Sequence, residues 1–298
     1  MINRIMTLTT LLTCLLIFTA CNDSTTSVDE GQSITEIAVS SPDFSVLVDA
    51  LTQADLAGTL NTGGPFTVFA PNNGAFGALP AGVLESLTEE QLKEILLYHV
   101  IGASVLSGDL APQQSVETLS GEEVFITTTG TGVQINGASN VFQANVIATN
   151  GVLHAVNGVL LPDAYNDVAG IAVKRYFLST LVGAVVSTDL LEALQNPEAN
   201  YTVFAPTDDA FGNLPAGTLE SLTVDQLRNI LLYHVVDTRI LSTDLAAGTY
   251  VLDTLSGDTI EVVVAGGAIT INGNATVVGA DFNGTNGVVH TINNVLLP

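Results

Sequence analysis

Four histidines, His99, His154, His234 and His290, are the side chains best able to move a proton or hold a metal near neutral pH. No two of them stand in a His-x-x-x-His spacing, and the two cysteines, Cys14 and Cys21, both fall at the N-terminus. The body therefore has neither the thiolates nor the imidazole pairs of a zinc centre. No Asp-rich loop with EF-hand spacing is present to hold calcium. Ser107 and Asp109 follow His99, and Ser242 and Asp244 follow His234. A hydrolytic triad needs these three residue types, but a triad is defined by spatial roles, and no Gly-x-Ser-x-Gly elbow occurs. Ser and Asp ahead of a strand more often form turns and caps. A Gly-rich phosphate loop ending in Lys-Ser/Thr is also missing. The residues predict no catalytic group, no cofactor and no metal.

The histidines come in matched pairs, which exposes the organisation of the chain. Thr67-Val68-Phe69-Ala70-Pro71 returns as Thr202-Val203-Phe204-Ala205-Pro206, and Ala75-Phe76 as Ala210-Phe211. Leu96-Leu97-Tyr98-His99-Val100 returns as Leu231-Leu232-Tyr233-His234-Val235. Asn150-Gly151-Val152-Leu153-His154 pairs with Asn286-Gly287-Val288-Val289-His290, and each copy closes on Leu-Leu-Pro, at Pro162 and Pro298. The period of about 135 residues is too long for a solenoid unit and suits one folding domain.

Within each copy the hydrophobic pattern predicts helices first and strands after. Apolar residues at helical spacing, among them Phe44, Leu47, Val48 and Leu51, predict helix over 34–60 and again over 168–194. Thr67 to Ala70 and Thr202 to Ala205 are short β-prone runs stopped by proline, and Asn72 or Thr207 can cap the short helix that follows. Thr88 with Gln91, and Thr223 with Gln226, fit a capping box. In the helix so started, Leu92, Ile95, Leu96 and His99 share one face, as do Leu227, Ile230, Leu231 and His234, which makes the histidines structural core residues. From about Val105 the chain turns to β-branched residues punctuated by Asn-Gly pairs, the chemistry of strands and hairpins. Each unit reads as α+β, spanning 34–163 and 168–298, with a short connector around Pro162 to Asp167 joining two separately folding domains.

Residues 1–20 carry one basic residue, Arg4, then an apolar run from Ile5 to Phe18 and the small pair Thr19-Ala20. This is the pattern of an export signal, too short for a membrane span. It resembles a bacterial lipoprotein signal, which predicts removal of residues 1–20 and lipid attachment at Cys21. Residues 21–33 are polar and aperiodic, as a flexible tether would be. With no cysteine left for a disulfide, stability must come from core burial, for which a unit of about 130 residues suffices. The 30 acidic residues against 6 basic ones, a formal charge of -24, exclude nucleic acid as a partner. They suit a soluble, aggregation-resistant surface.

The Thr-Val-Phe-Ala-Pro run, the Tyr-His pair after a leucine-rich helix and the closing Asn-Gly-Val-x-His with Leu-Leu-Pro resemble the fasciclin domain, twice over. The resemblance implies two tandem domains, each a β-sandwich or wedge of about seven strands packed with helices. It implies an extracellular, surface-attached protein acting in adhesion or matrix contact without enzymatic activity, its partner a surface protein or polysaccharide. In animal matrix members the Tyr-His segment is implicated in integrin binding, which carries over to Tyr98 and Tyr233. A second contact segment, an Asp-Ile pair, corresponds to Asp281-Phe282 in the second copy and Asn145-Val146 in the first. The alternative function is a surface module binding a small ligand or glycan, in a cleft between the two domains. The absence of Trp counts against sugar platforms, which an exposed cluster of Tyr98, Tyr233 and Tyr250 would restore.

Overall fold

The computed structural model describes residues 31–80 and 82–298. The expected export signal, Cys21 and most of the tether lie outside the described residues. In the first repeat, helices α1 (Ile34–Ser40), α2 (Ser45–Gln53) and α3 (Ala57–Thr62) lead into strand β1 (Phe66–Pro71). Helices α4 (Asn73–Gly77), α5 (Val83–Ser86) and α6 (Glu89–Tyr98) follow, then strands β2 (Val100–Ile101), β3 (Gln113–Glu117), β4 (Glu123–Thr129), β5 (Gly132–Ile135), β6 (Ser139–Ala148) and β7 (Gly151–Val156). The second repeat restates this order with α7 (Val168–Lys174), α8 (Ser179–Ser187), α9 (Leu191–Leu194), β8 (Tyr201–Pro206), α10 (Asp208–Gly212), α11 (Thr218–Ser221) and α12 (Val224–Tyr233). Its strands are β9 (Val235–Val236), β10 (Gly248–Asp253), β11 (Thr259–Ala265), β12 (Ala268–Ile271), β13 (Ala275–Gly284) and β14 (Gly287–Ile292).

Local chemistry accounts for most boundaries. The helical stretch expected over 34–60 is broken twice. Ser41 is extended ahead of Pro42, as residues before proline tend to be, and Asp55 turns through φ +53°. Both expected capping boxes form, at Thr88 with Gln91 and at Thr223 with Gln226. Asn73 and Asp208, the first residues of α4 and α10, reach out to cap other helices. Asn73 Oδ1 accepts from Val46 N at 3.0 Å, and Asp208 Oδ1 accepts from Thr180 N at 2.8 Å. The strand run expected from Val105 begins only at Gln113, because Ser107–Asp109 form a 3-10 turn first.

Each repeat makes one seven-stranded sheet, in the order β2-β1-β7-β6-β5-β4-β3 and its counterpart β9-β8-β14-β13-β12-β11-β10. Only β1 with β7, and β8 with β14, run parallel. The sheet curls until its two ends meet: Leu119 N donates to Val100 O, and Leu255 N to Val235 O, both at 2.8 Å. β1 and β7 are thereby buried on both faces, and alternation along them feeds two cores. Val68 and Ala70 face the helices with Leu47, Leu51 and Leu96, whereas Phe69 faces the curled strands with Ile126 and Ile135.

Of the Asn-Gly pairs expected to make hairpins, Asn136-Gly137 and Asn272-Gly273 do so, all four residues having positive φ. Asn150 and Asn286 also lie in hairpin turns, from β6 to β7 and from β13 to β14, and their side chains do more. Asn286 is fully buried; its Oδ1 accepts from Val168 N, at the start of α7, and its Nδ2 donates to Leu194 O and Asn196 O beyond α9. Asn150 makes the matching bonds to Ile34 N, Leu60 O and Gly63 O. One amide thus closes the free N–H of the first helix and the free carbonyls of the third onto the start of the last strand.

The connector is not a free linker. Pro162 to Asp167 contains a 3-10 turn at Asp163–Tyr165, Asp163 is buried, and β13 packs against the turn. Charged and aromatic groups at the head of the second domain are buried against the first, while each hydrophobic core stays within one repeat.

Candidate functional site

All four histidines are buried, His99 and His234 to 2% exposure. His99 caps the C-terminus of α6, where its Nδ1–H donates to Ile95 O at 2.7 Å and its Nε2 accepts from Leu160 N at 2.9 Å. His234 repeats this with Ile230 O and Leu296 N. A helix C-terminus favours imidazolium, but burial prevails and lowers both pKa values to about 4, against the smaller opposing effect of the carbonyl bond. His154 and His290 take the opposite tautomer. Nδ1 of His290 accepts from Asp281 N at 3.1 Å, and Nε2–H donates to Ile240 O at 2.9 Å. His154 does the same with Asn145 N and Val105 O, and each ring stacks on the Phe of the first strand, Phe69 or Phe204. Desolvation lowers these two pKa values as well.

The residue that meets this second histidine sits in a β-bulge. The register of β13 against β14 shifts between Gly279 and Phe282, and Asp281 takes φ +63°; Asn145 in β6 takes φ +59°. The turned-out carboxylate of Asp281 accepts from both the backbone N and the hydroxyl of Ser242, capping the 3-10 turn Ser242–Asp244. In the first domain Asn145 Oδ1 accepts from Ser107 N, while its Nδ2 donates to the Ser107 hydroxyl. Ser, Asp and His therefore do meet, but in an order no relay can use. The serine hydroxyl is spent on the aspartate, and the imidazole Nε2 faces a main-chain carbonyl. Asp244 caps its own turn through Leu241 N.

The two tyrosines expected at a contact surface are in the interior. Tyr98 is 0% and Tyr233 5% exposed. Tyr98 donates to Glu123 O at 2.9 Å and accepts from Asn136 Nδ2 at 3.0 Å; Tyr233 does so with Thr259 O and Asn272 Nδ2. The Tyr follows the core face of its helix and ties it to the far strands through the hairpin asparagine. The resemblance points to these residues as contacts, but the helical phase that buries the neighbouring histidine buries them too. Tyr233→Phe is expected to cost about 1–2 kcal/mol in urea unfolding, from the lost bond to Thr259 and the stranded Asn272 amide. It should leave the surface unchanged.

Phe282 also packs inward, with its ring 4.0 Å from the Arg175 guanidinium carbon. Of the four expected contact residues, Asp281 and Phe282 are half-buried, the Asp281 side chain being 30% exposed.

Two clefts bear on the small-ligand alternative. One, narrow, opens beside α7, α8 and α9 with aliphatic walls that include Ala172, Leu181, Val185 and Leu191. Its polar atoms are taken, Tyr201 Oη by Ala193 O at 3.3 Å and the His234 ring by Ile230 and Leu296. The other, roomier, lies between the domains, with Asn136, Ser139, Asn166 and Lys174 on its walls. Each of these already bonds to the protein, Asn166 to Leu161 O and Pro162 O, Lys174 to Asp163 and Leu161 O. Neither cleft pairs an apolar wall with free, converging polar groups. Nor do Tyr98, Tyr233 and Tyr250 gather at the surface, since two of them are buried.

The helices-then-curled-sheet plan, repeated with its buried Tyr-His pair, is matched by a family model. The fasciclin domain model matches residues 42–162 and 177–298. The chain belongs to the fasciclin domain family. Its fasciclin pair is 33% identical over 246 residues to human periostin, covering 79% of this chain and 28% of periostin. It is 33% identical over 241 residues to pig transforming growth factor-beta-induced protein ig-h3, covering 79% of this chain and 35% of that one. The chain thus spans about a third of the length of these relatives. Among solved structures it resembles a fasciclin domain pair from the insect cell adhesion molecule Fasciclin I. The TM-score is 0.60 at 22% identity, over 84% of this chain and 95% of that one, a likeness of fold.

Proposed function

We propose that this protein is a non-enzymatic adhesion or interaction module of the cell exterior, exported and held to the bacterial envelope by lipid on Cys21. The observation that carries this reading is the family match across both domains, in the tandem arrangement also found in an insect cell adhesion molecule. The chemistry of the interior supports it. The histidines, the serines beside them and the bulge carboxylate are all committed to holding loops in place. The partner is an extracellular or surface protein or polysaccharide, and the strongly acidic surface favours one of opposite charge.

The test uses the body, residues 31–298, against immobilised envelope and matrix proteins and polysaccharides. Saturable binding that weakens with salt is expected, and loss in Asp281→Ala at unchanged unfolding would place the bulge in the contact. Absence of binding to every such surface, together with turnover of any hydrolase substrate, would overturn the proposal. In the full chain, Cys21→Ser should move the protein from the membrane fraction to the soluble one.

A further inference from the structure

We propose that the two domains form one rigid, cooperatively folding unit, locked by the four residues at the end of α7 and just beyond it, Lys174 to Phe177. The first residue of the lock's other half is Asp163 in the connector, whose side chain is 11% exposed. Lys174 Nζ lies 2.7 Å from Asp163 Oδ1 and 3.1 Å from Leu161 O. The Arg175 guanidinium spans both oxygens of the same carboxylate and returns to Ile171 O at 2.8 Å. It also lies between two rings, 5.2 Å from Phe125 in the first domain and 4.0 Å from Phe282 in the second. Lys174 sits 4.8 Å from the Tyr98 ring, and Tyr176 and Phe177 meet Phe125 edge-on at 6.1 and 5.8 Å. Glu122 of the first domain accepts from Asp163 N at 3.0 Å. Beside them the backbones nearly touch, for a Cβ added at Gly137 would fall 2.3 Å from Val173 O.

A buried ion cluster contributes little net stability against an apolar substitute, yet it tolerates only one geometry, since a displaced charge is left unpaired. That is the property of a lock. Comparison of the repeats shows that it is specific to this junction. Where the second domain has Lys174-Arg175-Tyr176-Phe177, the first has Ser40-Ser41-Pro42-Asp43; where the first has Phe125, the second has an exposed Glu261. A Cβ at Gly273, the counterpart of Gly137, would meet open space. Each mating surface occurs once among the described residues. Two of the 6 basic residues of a strongly acidic chain are buried here.

The experiment gives the second domain the first domain's own turn: Lys174→Ser, Arg175→Ser, Tyr176→Pro and Phe177→Asp in the 31–298 body, a sequence that already folds at that place in the other repeat. The body has no cysteine, so Glu89→Cys and Asn229→Cys take spin labels, one in each domain. The parent is expected to melt in a single calorimetric transition with a narrow label-to-label distance distribution. The fourfold variant should split into two transitions and broaden that distribution while keeping the parent's circular dichroism. Gly137→Ala should broaden the distribution and Gly273→Ala should not, although both place a side chain at the same left-handed turn. Two transitions or a broad distribution in the parent, or a fourfold variant as narrow and as cooperative as the parent, would overturn the lock. Should the fourfold variant not fold, the Gly137→Ala and Gly273→Ala pair decides, and equal distributions in the two would count against it.

Discussion

Acidification from pH 7.5 to 4.5 is expected to lower this protein's stability by several kcal/mol, on the order of 3 for each deeply buried histidine, by way of groups that make almost no contact with solvent. His99 and His234 bind a proton at about 4 in the folded chain, against an ordinary value of 6.5. Above pH 6.5 both states are neutral and the histidines add no pH dependence. Below it the unfolded chain takes up protons that the folded chain refuses, so stability falls, and the fall levels off only near pH 4. The loss approaches about 3 kcal/mol for each of the two, against a total of roughly 5–15 kcal/mol for a typical domain. His154 and His290, lowered in the same direction, add to it. Glu122 opposes it, because burial raises its carboxyl. Protonation would also turn Nε2 of His99 from acceptor to donor, facing the Leu160 N–H that now donates to it. Urea unfolding across this range checks the expectation. His99→Gln and His234→Gln should each flatten the slope whatever they cost at pH 7.5, and an unchanged slope in both would refute the assignment.

The second large effect concerns one hydrogen atom. Gly151→Ala is expected to cost upwards of about 4 kcal/mol, near the limit of what one domain can lose. Gly151 opens β7 at φ +150° in parallel register with Phe66. A Cβ there would stand 2.0 Å from Phe66 O, with two further backbone atoms at 2.8 Å, and backbone on both sides of the pair leaves no rotamer to relieve it. Gly287→Ala should behave alike, its Cβ falling 2.3 Å from Tyr201 O. Gly257→Ala provides the contrast. It has φ +94° but open space around it, so only the left-handed strain of about 1–2 kcal/mol remains. Urea midpoints on the three variants measure the difference, and a Gly151→Ala protein no less stable than Gly257→Ala would show that the two strands do not approach so closely.

What the sequence determined by itself was whatever is decided within a few residues or restated at a fixed period. The Thr88–Gln91 box, the short strand stopped by Pro71 and the helical phase that buries His99 are local, because capping and amphipathicity act over one or two turns of chain. The repeat made each of these legible twice and carried the family with it. Tertiary structure decided what depends on distant segments. Asn150 and Asn286 are the turn residues their Asn-Gly pairs predict, but that they are also clamps depends on partners some 90 to 118 positions away. Tyr98 and Tyr233 looked like contacts and are core, because the strands that bury them close over the helix only once the sheet curls. Lys174 and Arg175 looked like ordinary charges on a helix end. Only the docking of the second domain on the first, which brings Asp163, Phe125 and Phe282 together around them, made these two the most buried cations among the described residues. No periodicity encodes that, since a junction occurs once and neither repeat contains it alone.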